Sequence, residues 1–148
     1  MGQQQLLLIV LGVIIVGIAI AVGISMFKSN AQSSNRDQVI NDLNNLAAKA
    51  QQYYRKPTAM GGGGQSFGGF ALSPVDTGNA NGSYSLTLST PSSASMVAGN
   101  IAAVGTRGTP LDSIYIVGCG KEIGNDGKNP VKAYATVYLD SVVTKTLN

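Results

Sequence analysis

Two hydrophobic rhythms divide the chain. From Leu6 to Phe27 it reads LLLIVLGVIIVGIAIAVGISMF, 22 residues without a charge and with no polar face. A helix of this length, at about 1.5 Å per residue, is roughly 33 Å long and can cross a hydrocarbon core of about 30 Å. Further on, Val39, Leu43, Leu46, Ala50 and Tyr53 recur at helical spacing, with Asn41, Asn44, Asn45 and Lys49 on other faces. That stripe predicts an amphipathic helix over 36–55 that packs on the rest of the chain. Ser29 to Asn35, between the two, contains no proline. One long helix from about Gln4 to Tyr54 is therefore expected, the alternative being a second helix capped by Ser33, Ser34 or Asn35. Pro57 ends it, because its ring removes a donor and disfavours helix in the residue before it.

The rhythm is lost in MGGGGQSFGG, where six of ten residues are glycine, and this places a loop over 57–80 with Phe67, Phe70 and Leu72 tucked against the domain. A period of two follows. Tyr84, Leu86 and Leu88 alternate with serine and threonine, Ile114 and Ile116 with Tyr115 and Val117, and Val131, Ala133, Ala135, Val137 and Leu139 with Lys132, Tyr134, Thr136 and Tyr138. Three strands are predicted in an antiparallel sheet over 82–145, the third running through VKAYATVYLDSVVT as one strand. SMVAGNIAAVGT, with Met96, Val97, Ile101, Ala102 and Val104, fits a short helix or a strand broken at Gly99. KEIGNDGKNPV reads as a turn in which Asn125, Asp126 and Gly127 supply positive-φ positions. The fold class is α+β, with the helix stripe covering the apolar face of the sheet.

Composition narrows the chemistry. The 148 residues leave room for one small domain behind the apolar arm, so the reading divides the chain into 1–28 and a head over 29–148. There is no histidine and one cysteine, Cys119. Zinc sites, haem attachment, Ser-His-Asp triads and Cys-His dyads each need imidazole or several thiolates, so no enzyme, metal or cofactor is expected. Cys119 reads as a small buried residue. The glycine run lacks the Lys-Ser/Thr ending of a phosphate loop. Charged residues are 11% of the chain and the net charge is +3, with the basic residues scattered among acids, so no specific nucleic-acid partner is expected. A secretory signal is not the expected reading of Leu6–Phe27, since no basic residue stands between Met1 and Leu6 and the stretch exceeds the roughly 7 to 15 apolar residues of such a signal.

An apolar half-helix, an amphipathic second half, a glycine-rich loop and a small antiparallel sheet together resemble the type IV pilins and the related pseudopilins of type II secretion. The resemblance spans the whole chain, with its motif-like part confined to the first 27 residues. It implies a structural subunit of an extracellular helical filament, held in the cell-envelope membrane before assembly and added to a homopolymer by an assembly machinery. The implied filament-core positions are Gln5, Leu6, Leu7, Val10, Gly12, Ile14, Gly17, Ala21 and Gly23, and the implied leader-cleavage position is Gly2. In this family a glutamate near the start of the apolar run aids assembly. Its place falls to Gln5 if Met1 is the first mature residue and to Leu7 if cleavage follows Gly2; neither is a carboxylate, and the family's paired cysteines near the C-terminus are absent. The competing expectations are a membrane-anchored monomeric binding domain and a pseudopilin acting as a secretion piston.

Overall fold

A computed structural model describes residues 2–91, 103–104 and 110–148, the pair 103–104 by its backbone alone. One helix, α1, runs unbroken from Gly2 to Arg55, roughly 80 Å at about 1.5 Å per residue. Its buried residues are Asn35, Val39, Leu43, Leu46, Ala47, Ala50 and Tyr54. Every one of them lies in the second half. No second helix starts at Ser33, Ser34 or Asn35. The Asn35 side chain, a candidate cap in the sequence, instead turns to the sheet: its Nδ2 donates to the Asn81 carbonyl at 2.9 Å and its Oδ1 accepts from the Glu122 amide at 3.4 Å.

The helix end is closed by the glycine loop. Gly63 N donates to the Tyr53 carbonyl at 2.8 Å and Gln65 N to that of Tyr54 at 2.9 Å, satisfying carbonyls that the last helical turn leaves without partners. A side chain at Gly63 would run into the Ser66 carbonyl, which explains a residue without Cβ there. Phe67, Phe70 and Leu72 are buried, and Tyr54 packs against Phe67 in a tilted pair with ring centroids 4.7 Å apart.

Among the described residues six strands follow: β1 (Phe70–Ala71), β2 (Gly82–Thr87), β3 (Ala103–Val104), β4 (Ser113–Ile123), β5 (Pro130–Tyr138) and β6 (Val142–Thr146). The main sheet is antiparallel in the order β2-β4-β5-β6, and β1 pairs with β3 in a separate two-stranded ribbon. The chain is thus α+β, a long helix packed on a four-stranded antiparallel sheet. Val39, Leu43 and Ala50 meet Ile114, Ile116, Ala133, Ala135 and Val137 in one core. Gly118 lets α1 approach, since a Cβ there would lie 2.9 Å from Val39 Cγ1.

Several sequence expectations are corrected. VKAYATVYLDSVVT is two strands, because the Tyr138 amide donates to the Ser141 carbonyl at 2.9 Å and closes a tight turn. Asp140 and Ser141 are common turn formers and were the available signal. Leu88 and Leu139, assigned to strand faces by alternation, lie beyond the ends of β2 and β5 and are exposed. The stretch 57–80 is not all loop, as it contains β1 and a 3₁₀ turn at Thr58–Met60. Of Asn125, Asp126 and Gly127, only Gly127 has a positive φ, of 67°. Met96, Val97, Ile101 and Ala102 lie outside the described residues, while Val104 is in β3.

Candidate functional site

The most unusual surface of the molecule is the first half of α1. Its large apolar side chains, from Leu6 to Phe27, are each between 49% and 80% exposed, and the apolar stretch is long enough to cross a membrane. Gln5, Leu6, Leu7, Val10, Gly12, Ile14, Gly17, Ala21 and Gly23 are all exposed on it. A Cβ added at Gly12, Gly17 or Gly23 would meet nothing within 4 Å, so the chain's own packing has no use for these glycines. Gly2 is the first helical residue.

The head grips the helix from Gln32 onward. Gln32 Nε2 donates to Asn125 Oδ1 at 3.0 Å, and Arg36 Nη2 donates to the Asn148 carbonyl at 2.8 Å. Val39, Leu43, Leu46 and Ala50 are buried against the sheet. Tyr53 is only partly buried; it packs on Phe70 at 5.4 Å and its hydroxyl donates to the Gly68 carbonyl at 3.1 Å. The buried aromatic is its neighbour Tyr54. The helical stripe and one face of the helix turn are one residue out of step there.

Sequence reasoning missed the polar centre of this interface. Asp42 Oδ2 accepts hydrogen bonds from Asn79 Nδ2 at 2.8 Å, Asn81 Nδ2 at 2.9 Å and the Tyr84 hydroxyl at 2.6 Å. Burial pushes the Asp42 carboxyl upward, but bonds from Asn81, Tyr84 and Asn79 outweigh it, and its pKa lies below the ordinary value. Burial, followed by the Asp42 hydrogen bond and charge, drives Tyr84 far above the usual phenol range. One turn and three residues along, Lys49 Nζ sits 2.6 Å from Asp76 Oδ1. The two contacts pin the loop before β2 onto α1. Beside them is an open cavity of about 400 Å³ bordered by Asn45, Lys49, Gln52 and Val75, and among the described residues no group of three or more His, Cys, Asp or Glu is gathered to hold a metal.

Cys119 is a free, buried thiol on the sheet face turned away from α1, beside Val117 and near Tyr134 and Leu147. Burial raises its pKa, opposed in part by the nearby Lys132 charge, so the nucleophilic thiolate is disfavoured. At the β4–β5 turn, Asp126 accepts from the amides of Lys128 at 3.1 Å and Asn129 at 2.9 Å. The Asn129 side chain and amide and the Lys128 amide hold its carboxyl down at about 2.

A long N-terminal apolar helix packed on a small antiparallel sheet resembles a pilin-like architecture. Comparison with family profiles, curated proteins and solved structures gave no match.

Proposed function

We propose that this chain is a structural, non-catalytic subunit of a type IV pilus-like helical filament, stored in the membrane through Leu6–Phe27 and assembled outside by bundling of these helices. The observation that carries the reading is the apolar half of α1, exposed along its whole length and continuous with a half that its own head covers. Such a surface needs lipid or other copies of itself, and transfer from one to the other changes its solvation little, so assembly need only gain packing. Glycines that the single chain does not need suit close approach between neighbouring helices. Contacts between different faces of identical subunits do not close into rings unless the rotation allows, and so generate filaments.

Shearing of cells followed by pelleting tests this. The chain is expected in sheared filaments, and Ile15→Lys is expected to abolish them, because an unpaired ammonium in an apolar bundle costs several kcal/mol per subunit. A wild-type chain that stays wholly with the membrane, or normal filaments from the lysine variant, would refute the proposal.

A further inference from the structure

The distance along α1 between its last apolar residue and its first contact with the head fixes where the head must sit. Phe27 closes the uncharged run, Lys28 follows, and Gln32 already bonds to Asn125 in the β4–β5 turn. Five residues of helix are roughly 8 Å, about the depth of the headgroup layer on one side of a bilayer, which is roughly 5 to 8 Å. When Leu6–Phe27 is in lipid, this end of the head therefore cannot stand clear of the membrane.

The chemistry of that end suits the position. Ile123, the last residue of β4, is 57% exposed. Lys121 and Lys128 are exposed on either side of it along the chain, and the turn 124–129 carries Asn125 and Gly127 at the surface. Glu122, Asp126 and Asp37 also lie here, with Arg36 bonded to Asn148. The exposed Asp126 carboxylate accepts from the Lys128 and Asn129 amides, and together with Glu122 it offsets part of the charge of the two lysines. Long lysine side chains can lay their stems along apolar surface and place the ammonium among phosphates, where a basic residue close to an anionic leaflet is attracted to it.

We propose that Lys121, Ile123 and Lys128, with Lys28, form a bilayer-docking surface that rests on lipid phosphates before assembly and holds α1 upright in the membrane. The inference rests on the reading that Leu6–Phe27 spans the bilayer. It is tested with the full chain reconstituted in vesicles of phosphatidylcholine with phosphatidylglycerol, following hydrogen exchange of segments 121–130, 6–27 and 138–141. The last is a distal control, as Gln51 Nε2 donates to the Tyr138 carbonyl and Gln51 lies more than five helical turns beyond Gln32.

Exchange in 121–130 is expected to be several-fold slower in the wild type than in a Lys121→Glu, Lys128→Glu variant, with 138–141 alike in both. Ile123→Ser is expected to give a smaller acceleration in the same segment. In detergent micelles, which offer no flat phosphate layer, the difference between wild type and the double variant should vanish. Equal exchange of 121–130 in all variants on vesicles, with 6–27 still protected, would overturn the docking surface and leave the spanning helix intact. Rapid exchange throughout 6–27 in vesicles would overturn the spanning reading itself.

Discussion

Asp42 gathers three side-chain hydrogen bonds on one carboxylate oxygen, and nothing in the local sequence marks it. Its three donors, Asn79, Asn81 and Tyr84, are 37 to 42 residues away, and a carboxylate on the flank of an amphipathic helix ordinarily reads as a solvated position. Replacing Asp42 by Ala should lower stability by about 1 to 3 kcal/mol, since the buried Tyr84 hydroxyl then loses its acceptor. Denaturant unfolding measures this directly. The pH dependence has a definite sign. Because the folded-state pKa of Asp42 is below the ordinary value, the unfolded chain binds more protons there. Its contribution is complete above the unfolded carboxylate range, near 4, and is lost as pH falls through the folded value. The stability gap between the wild type and Asp42→Asn should therefore narrow on acidification below about pH 4. A gap that widens, or stays constant to the lowest pH at which the chain folds, would remove Asp42 from this role. Asn35 shows the same limit of local reading. Asparagine at a helix boundary favours a cap, yet here it sits mid-helix and spends its amide on Asn81 and Glu122.

Among the elements, those set by a repeated local pattern could be read from the chain, and those set by a single contact could not. The 3–4 spacing of Val39, Leu43, Leu46 and Ala50 and the twofold alternation of β2, β4 and β5 describe surfaces that must be buried, whatever partner they find. The break between β5 and β6 depends instead on one turn, and alternation carries straight through it from Val137 to Leu139. The apolar half of α1 was legible for the opposite reason, as its pattern is continuous and it has no partner within the chain. By residue type, α1 is weakest from Gly23 to Asn35, where a glycine and short polar side chains gather. Gln32 and Asn35 are tied to the head, which confines the unsupported stretch to Gly23–Ala31. There, one glycine and the short polar side chains of Ser25, Ser29 and Asn30 lower helix preference by roughly 2 kcal/mol relative to alanine. In assembled material, hydrogen exchange should be at least several-fold faster in 23–31 than in 6–21 or 39–53. Uniform protection over all three would mean that neighbouring subunits clamp this segment, and that propensity decides nothing here.

For the molecule as a whole, the division of α1 into a buried and an unburied half separates stability from assembly. No buried residue of the helix precedes Asn35, and every member of the main core lies between Val39 and Val137. The apolar arm thus contributes nothing to the packing that holds the head together. Removing residues 1–28 should leave a head that begins at Ser29, a residue suited to cap the shortened helix, and that retains the Gln32, Asn35 and Arg36 contacts to the sheet and tail. The expected outcome is a soluble domain of about 120 residues, large enough to bury its own core. It should unfold in one cooperative transition, at a denaturant midpoint matching that of the head in the full chain. The loss should appear only in membrane retention and in filament formation. If the fragment instead loses its near-ultraviolet circular dichroism or its cooperative transition, the apolar half of α1 supports the head as well as its assembly, and the separation argued from burial is wrong.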